Sequence, residues 1–285
     1  MSERLLPDWG WRCILQARDT DWAASRATSF MVEGVRIDIH AGGAWNCDAP
    51  VADETARMLD LFLPWVAAPG PLTIGQLGQS LDGRIATESG ASHYINGLEA
   101  RTHLHRLRAL VDAVVVGVGT VNADDPQLTV RHVSGPNPVR VVLDPRGRAD
   151  PAAKLFTDGV ARTLHVVGQT LAAPYAAQAK VAERVACRRV GLAVDERGFD
   201  PADVIALLHA SDCRRVLIEG GGVTVSRFLE AGQLDRLHLL VAPMLIGSGR
   251  PGLDLPVIDK LDDALRPECR LFMCGGDSLY DLRFR

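Results

Sequence analysis

The chain has 285 residues, of which 47% are hydrophobic and 23% are charged, and its formal net charge is −4. This composition is ordinary for a globular protein, and the length suffices for one large domain or two small ones. A negative net charge argues against a general nucleic-acid binder, because the phosphate backbone demands a basic surface. No apolar run approaches the roughly 20 residues that a membrane-spanning helix needs, so we expect no membrane partner.

The six cysteines are scattered along the chain and form neither a metal-ligand pair nor a compact disulfide pattern. They are Cys13, Cys47, Cys187, Cys213, Cys269 and Cys274. The N-terminal sequence lacks the basic-then-apolar order of a secretory signal. We therefore predict a cytoplasmic protein with free thiols and no metal site.

The first 69 residues differ from the rest, because all five tryptophans fall there and apolar periodicity is weak. One amphipathic helix is predicted over Val51–Leu63. Prolines and glycines at positions 64, 69, 70 and 71 then interrupt the chain, which favours a boundary near residue 70. We predict an accessory segment over 1–69 and a main domain over 70–285.

Beyond residue 70, apolar runs alternate with helical patterns, as is typical of an α/β fold. The predicted strands are Leu72–Leu77, Arg84–Thr87, Ala113–Val118, Val139–Leu143, Thr163–Val167, Arg188–Val190, Val216–Ile218, Arg236–Pro243 and Arg270–Tyr280. The predicted helices are Leu98–Ala109 with Asn96 as its cap, Ala173–Val181, Pro201–Ala210 after Asp200, and Thr224–Ala231. Parallel crossovers are the natural connection in the middle of the chain. We predict a mixed, mostly parallel sheet flanked by helices, with an antiparallel C-terminal part.

The segment Glu219–Gly222 reads EGGG and lies between a predicted strand and a predicted helix. Consecutive glycines let a ligand approach the backbone closely, and free amides at the start of a helix bind phosphate. The hydroxyl of Thr224 could reach the same phosphate. A tight turn that needs positive φ explains the glycines equally well, and the sequence leaves both interpretations open.

A second small-residue turn, Gly117–Thr120, follows the strand predicted over Ala113–Val118. Two adjacent carboxylates come shortly after it, and both stay charged only if they are solvated or paired. We assign Asp125 to a capping or turn role, as is ordinary before proline. Asp124 could instead hold a ribose hydroxyl or an amine.

Arg101, His105 and Arg108 share one face of the helix Leu98–Ala109. A solvated face explains any one of them, but Arg108 lies at the helix end before a buried strand, so we expect it to turn inward. Arg131, after the strand-like Leu128–Val130, could join it in a phosphate clamp, since a guanidinium binds phosphate with two parallel hydrogen bonds. The sequence has neither a nucleophile elbow nor the zinc motif of a nucleobase deaminase.

Several motifs, taken together and in this order, resemble the reductase domain of the riboflavin-biosynthesis deaminase/reductase family. They are SLDGRIA, SGASHYINGLEARTHLHRLR, GVGTVNADDPQLTVR, NPVRVVLD, IEGGG and HLLVAPMLIGSG. The resemblance covers about residues 70–285, and the first 69 residues do not resemble the deaminase half that often precedes this domain. It implies a dihydrofolate-reductase-like fold, NADPH as cofactor and a homodimer formed through the C-terminal strands.

The resemblance also implies a reaction of the 5-amino-6-(5-phosphoribosylamino)uracil reductase type in riboflavin biosynthesis. The sugar ring of the phosphorylated substrate opens, and hydride from NADPH reduces C1′ to give a ribitylamino chain. The residues implied around the substrate are Ser92, Arg108, Leu128, Arg131 and Glu219, with the arginines nearest its phosphate. The residues implied on the cofactor are Tyr94, Thr120, Asp124, Gly221, Gly222, Val223, Thr224 and Arg227. Asp124 is expected closest to the reacting centre.

Two positions depart from the pattern of this family. Many members carry Lys where this chain has Gln76, which is expected to touch the pyrimidine or the reacting sugar, and Trp where it has Tyr94. The loss of a positive charge at Gln76 makes a reductase of the same fold, acting on a different heterocycle or imine, the alternative interpretation. A non-catalytic nucleotide-binding module is a third, but the retained arginines and Asp124 argue against it.

Overall fold

The computed structural model describes residues 6–92, 95–176 and 187–285. The chain forms two compact units that divide between Leu72 and Thr73. The elements of the first unit are α1 (Pro7–Arg18), β1 (Ala27–Val32), β2 (Val35–His40), β3 (Trp45–Cys47) and α2 (Asp53–Val66). The strands β1, β2 and β3 pair in that order as an antiparallel sheet.

The first unit is more regular than its weak periodicity predicts. Helix α1 was not expected, because Gly10 and two tryptophans make its sequence a poor helix former. Its packing explains those residues: a Cβ at Gly10 would lie 2.6 Å from Cγ2 of Thr55, so the glycine lets α1 approach α2 closely. The ring of Trp11 packs edge-on against Phe62 at 6.0 Å. Tertiary packing therefore outweighs the local preference of α1.

The second unit contains the remaining strands and helices. The strands are β4 (Leu72–Ser80), β5 (Arg84–Thr87), β6 (Ala113–Gly117), β7 (Val139–Asp144), β8 (Thr163–Gly168), β9 (Cys187–Leu192), β10 (Arg215–Glu219), β11 (Arg236–Ala242), β12 (Gly249–Pro251), β13 (Glu268–Cys274) and β14 (Asp277–Arg283). The helices are α3 (Leu98–Leu110), α4 (Val118–Asp124), α5 (Lys154–Thr157), α6 (Gln169–Ala176), α7 (Pro201–His209) and α8 (Gly222–Glu230).

Nine strands form one sheet in the order β13-β14-β11-β4-β10-β6-β7-β8-β9. The strands β10, β6, β7, β8 and β9 run parallel, β11 runs parallel to β4, and β14 is antiparallel to both β11 and β13. The predicted fold class, a mixed and mostly parallel sheet flanked by helices, is confirmed. No helix among the described residues has the length and apolarity needed to cross a membrane.

Helices cover both faces of this sheet. On one face, Val225 of α8 and Leu208 of α7 belong to a core cluster with Val115 and Ile218 of the central strands. On the other face, α3 packs through buried His103, which contacts His238 of β11. We call these two sides the α8 face and the α3 face. Burial on both sides explains the continuous apolar run of β6.

Three local predictions are wrong in detail. Gly97, not Asn96, is the N-cap of α3, and the amide of Asn96 instead donates to Asp277 at 3.2 Å. The strand predicted over Arg270–Tyr280 is a hairpin, because the chain turns at Gly275 with φ +63°. No strand forms at Leu128–Val130.

Most other predicted elements agree with the structure to within a few residues. Asp200 caps α7 by accepting a hydrogen bond from the backbone of Ala202 at 2.8 Å. Helix α6 begins earlier than the predicted Ala173–Val181, and the part of that prediction beyond Ala176 lies outside the described residues.

Candidate functional site

The candidate residues gather where central strands of the sheet end. Strands β6 and β10 are parallel neighbours, so their C-terminal ends lie at the same edge. A Cβ at Gly252, which follows β12, would lie 2.4 Å from the side-chain oxygen of Gln79 near the end of β4. A Cβ at Gly222 would lie 2.0 Å from the carbonyl oxygen of the same Gly252. The ends of β4 and β10 therefore meet at Gly252, and open α/β sheets bind ligands at such an edge.

The glycines of the EGGG segment have separate structural reasons. Gly220 adopts φ +122°, a conformation that side chains rarely allow. Gly222 is needed for the close approach to the backbone at Gly252. The amide of Gly221 donates to the hydroxyl of Thr120 at 3.1 Å, which joins the loop to α4. The tight turn is thus confirmed, and it leads into the N-terminus of α8; phosphate binding by this segment stays a prediction.

The other predicted cofactor residues surround the start of α8. A Cβ at Gly117 would lie 2.7 Å from the hydroxyl of Thr224, so this hydroxyl packs against the end of β6. Val223 is 68% exposed. The guanidinium of Arg227 donates to the carbonyl of Phe199 at 2.8 Å and so fastens the loop before α7 to α8. The N-cap Gly221 offers no side chain to the first amides of the helix, which leaves the position suited to an anion.

On the α3 face, Arg108 turns inward as predicted. Its Nε donates to Glu219 at 2.9 Å, its Nη2 pairs with the other carboxylate oxygen, and its Nη1 donates to the carbonyl of Thr129 at 3.2 Å. Arg108 and Glu219 are 5% and 8% exposed. The positive charge of Arg108 is therefore compensated inside the protein. The pairing brings two predicted substrate residues together from α3 and β10.

Arg131 differs from Arg108 because it is exposed and has no carboxylate partner among the described residues. Its guanidinium contacts the side-chain oxygen of Gln127, and its backbone amide donates to Nδ1 of His105 at 3.0 Å. Burial, with the nearby Arg108 charge, lowers the pKa of His105 to about 3. His105 is therefore neutral near pH 7 and holds the backbone of Arg131 in place. Its role was not predicted from the sequence.

Leu128, another predicted substrate residue, has an unusual backbone conformation. It is 1% exposed and adopts φ +54°, which is uncommon for a residue other than glycine. The fully buried Arg140 holds the adjacent residue, since its Nη1 donates to the carbonyl of Gln127 at 3.3 Å. Backbone strain of this kind clusters at binding sites.

The adjacent carboxylates have different environments. Asp125 adopts φ +41°, accepts a hydrogen bond from the backbone amide of Lys154 at 2.8 Å and pairs with its ammonium at 3.0 Å. The capping and turn role predicted for Asp125 is confirmed. Asp124 ends α4 exposed, and its side chain has no partner among the residues that the structure describes. It is thus the carboxylate available to a ligand.

Asp82 of the SLDG turn joins that turn to the APMLIGSG segment. Its carboxylate accepts the hydroxyl of Ser80 at 2.5 Å and the amides of Ile246 at 3.1 Å and Gly247 at 2.6 Å. These hydrogen bonds, led by the one from Ser80, lower the pKa of Asp82 to about 2. The two motifs form one structural unit, which sequence reasoning missed.

Three further residues were predicted to contact the substrate or the cofactor. Gln76 lies on β4 and is 8% exposed, and Ser92 is half-buried beside the end of the described segment. Tyr94 lies outside the described residues. The segment that follows is fixed by Asp277, which accepts the backbone amide of Gly97 at 3.0 Å. Within the described ranges, no three His, Cys, Asp or Glu side chains come together as metal ligands.

Curated relatives match most of the chain. A protein named 2,5-diamino-6-ribosylamino-4(3H)-pyrimidinone 5′-phosphate reductase from Methanothermobacter thermautotrophicus is 36% identical over 217 residues, which are 73% of this chain and 95% of the relative. The reductase of the same name from Archaeoglobus fulgidus is 33% identical over 70% of this chain and 91% of its own. The riboflavin biosynthesis protein RibD of Aquifex aeolicus is 32% identical, and the match covers 83% of this chain but 64% of RibD.

Solved structures agree with these relatives. RibD from Acinetobacter baumannii superimposes with a TM-score of 0.62 at 28% identity, covering 81% of this chain and 63% of that one. The riboflavin biosynthesis reductase of Saccharomyces cerevisiae, at 20% identity and a TM-score of 0.56, shows the same fold. The chain spans less than two thirds of the length of these RibD proteins. The family model described as RibD C-terminal domain matches residues 71–271, and the chain belongs to that family.

Proposed function

We propose that this protein is an NADPH-dependent reductase of a 5-phosphoribosylamino-pyrimidine in riboflavin biosynthesis. The observation that carries the proposal is the match over 95% of a relative named as such a phosphate reductase. The site supports it, because an anion-binding helix start and an exposed arginine lie beside the ends of central strands. Hydride transfer needs two ligands positioned side by side more than it needs a strong acid or base.

The cofactor is proposed to lie at the start of α8. The amides at this helix terminus suit a pyrophosphate, and Thr120 fixes the loop through its hydrogen bond to Gly221. When bound, the nicotinamide supplies the hydride. Asp124 is the unpaired carboxylate beside this loop, and we assign it to a hydrogen bond with the substrate near the reacting carbon.

The substrate is proposed to bind on the α3 face. Arg131 is the cation available to its phosphate, because Arg108 is neutralised by Glu219. A carboxylate can accept about four hydrogen bonds, so Glu219 can bind Arg108 and still accept a ribose hydroxyl. The substrate would thus bind with its charged phosphate at Arg131 and its uncharged part deeper in the fold.

Assay of nicotinamide oxidation with the phosphoribosylaminopyrimidine tests the proposal. We expect turnover in the wild type and at least a 10-fold lower kcat for Asp124→Asn. Unchanged turnover in Asp124→Asn would remove that residue from the reacting centre. Absence of turnover in the wild type would contradict the function itself.

A reductase of the same fold that acts on another heterocycle or imine is the second candidate, favoured by the neutral Gln76. Complementation of a strain that lacks the riboflavin reductase separates the two candidates. Growth supports the riboflavin intermediate as substrate, and failure of a well-expressed protein to restore growth supports the second candidate.

A homodimer through the C-terminal strands is part of the proposal. Strand β13 ends the strand order of the large sheet, and its Leu271 and Met273 are 59% and 66% exposed. The unpaired backbone groups of an exposed edge strand are a template for pairing with another chain. Light scattering is expected to give twice the mass of one chain, and a monomer would contradict the dimer.

A further inference from the structure

A cavity lies at the edge of the large sheet where β7, β8 and β9 begin. Its volume is about 180 Å³, and the end of α7 closes it on one side. Two arginines line it, Arg162 just before β8 and Arg188 near the start of β9, and we call them the cavity arginines. The three strands are parallel neighbours, and the candidate site lies where central strands end. The cavity is therefore at the opposite edge of the sheet from that site.

Strand register places both cavity arginines on the α8 face. Arg188 is the register partner of Leu164, and Leu164 belongs to the core cluster that contains Leu208 of α7. Arg162 precedes Leu164 by two positions, and side chains alternate along a strand, so both point to the same side. The carbonyl of Arg162 accepts the amide of Arg140 at 2.9 Å, which extends the pairing of β8 to this residue. Two guanidinium groups therefore project from neighbouring strands on one face.

The protein itself does not use these two guanidinium groups. Both cavity arginines are exposed, and neither has a hydrogen bond or an ion pair with any residue that the structure describes. Arginines beside the end of a helix often donate to its last carbonyls. Here the carbonyl of Leu207 accepts the hydroxyl of Ser211 at 2.9 Å. The carbonyl of Leu208 accepts the amides of Ser211 and Cys213, both at 3.0 Å. The end of α7 is therefore capped without the arginines.

The mouth of the cavity has an excess of positive charge. Cys213 lines the cavity, and Arg214 and Arg215 follow it directly. Burial raises the pKa of the Cys213 thiol, the nearby charges of Asp112 and Asp212 raise it further, and Arg162 lowers it. Asp112 is engaged by the backbone amides of Arg214 and Arg215 at 2.9 and 2.7 Å. Four arginines thus face two carboxylates, and such a surface attracts an anion.

The interior of the cavity is apolar and small. Leu164 and Leu208 belong to the hydrophobic core, and Val139 packs against it. The volume corresponds to about six water molecules, since each takes about 30 Å³ in the liquid. Pockets for drug-sized ligands begin at about 300 Å³. A dinucleotide or a phosphoribosyl heterocycle is therefore too large, and a molecule of about seven non-hydrogen atoms fits.

We propose that this cavity is a second binding site, separate from the candidate site, for a short branched aliphatic carboxylate. The carboxylate accepts hydrogen bonds from the cavity arginines, and such charge-assisted hydrogen bonds are strong. The methyl groups of the ligand pack against Leu164 and Leu208. Both parts are needed, because a neutral alcohol lacks the charge and inorganic phosphate lacks the apolar part. The proposal does not depend on the reductase function.

A titration of the full chain with 3-methylbutanoate, followed by NMR of methyl-labelled leucine and valine, tests this site. We expect saturable shifts of the methyl signals of Val139, Leu164 and Leu208 at constant ionic strength. The alcohol 3-methyl-1-butanol has the same carbon skeleton without the charge, and inorganic phosphate has only charge. Each should bind at least 10-fold more weakly than the carboxylate.

Variants locate the charge. Arg162→Gln combined with Arg188→Gln should weaken binding of 3-methylbutanoate at least 10-fold. Arg57→Gln is the matched control, because Arg57 is an exposed arginine of the first unit that also has no partner among the described residues, and binding should change less than 2-fold. Circular dichroism checks that each variant is folded. The proposal is overturned if the wild type shows no saturable shift, if the alcohol or phosphate binds as tightly as the carboxylate, or if the double variant binds like the wild type.

Discussion

The two faces of the central sheet build their parts of the site by different means. The α3 face relies on charged side chains that pair inside the protein, as Arg108 does with Glu219. The α8 face relies on the backbone and on small residues. For example, Gly222 has no side chain and therefore packs directly against the backbone of Gly252. One face should therefore be sensitive to the loss of a charge, and the other to the addition of a single carbon atom.

The largest effect is expected on the α3 face. Glu219→Ala leaves the buried guanidinium of Arg108 without its carboxylate, which should lower the free energy of unfolding by about 3–5 kcal/mol. The matched control is Glu230→Ala, which breaks a two-point contact with Arg197 at the surface. That pair is solvent-exposed, so its loss should lower stability far less than the loss of Glu219. Urea denaturation measures both values, and equal losses would contradict the contrast.

Gly222→Ala tests the α8 face. The added Cβ would lie 2.0 Å from a backbone oxygen that no side-chain rotation can move, so we expect a loss of about 3 kcal/mol. Gly221→Ala is the control, because a Cβ there lies 3.7 Å from the hydroxyl of Thr120. Thermal melting should show a lower Tm for Gly222→Ala alone. A Tm equal to that of the wild type would mean that the two backbones separate readily.

Arg131→Ala tests the exposed cation of the α3 face. Loss of a charge-assisted contact of about 1.5–3 kcal/mol should raise the KM for the phosphorylated substrate at least 10-fold. Steady-state kinetics with the dephosphorylated substrate provide the comparison, since Arg131 has no phosphate to bind there. Equal KM values for the two substrates in the wild type would contradict a phosphate contact at Arg131.

The effect that is smallest near neutral pH, and grows as the pH falls, concerns the pH dependence of stability. The pKa of His105 is about 3 in the folded chain and ordinarily about 6.5, so only the unfolded chain binds this proton between those values. The free energy of unfolding should therefore fall as the pH decreases from 6.5 towards 3, by about 1.4 kcal/mol per pH unit for one proton. His105→Asn should give a shallower curve in urea denaturation at several pH values. Parallel curves for variant and wild type would show that His105 does not contribute.

Much of the sheet could be predicted, because buried parallel strands carry continuous apolar runs. Helix α1 could not, since its packing against α2 depends on Gly10, which lowers helix propensity. The strand predicted over Arg270–Tyr280 merged two strands, because both are apolar and only Gly275 marks the turn.

The sequence predicted individual residues of the candidate site, but not the hydrogen bonds that join them. The inward turn of Arg108 followed from its place at the helix end, and the turn role of Asp125 followed from the proline after it. The hydrogen bond from Arg108 to Glu219 joins residues 111 positions apart, and that from Gly247 to Asp82 joins residues 165 apart. Local patterns carry no information on such distant pairs.

The hydrogen bond between Gly97 and Asp277 has a consequence for synthesis of the protein. It spans 180 positions, and its acceptor lies in β14. A growing chain on the ribosome therefore carries α3 long before the residue that fixes its start can emerge. The substrate face is completed only after Asp277 has been synthesised, so a chain terminated before that residue would hold most of the site residues without their arrangement.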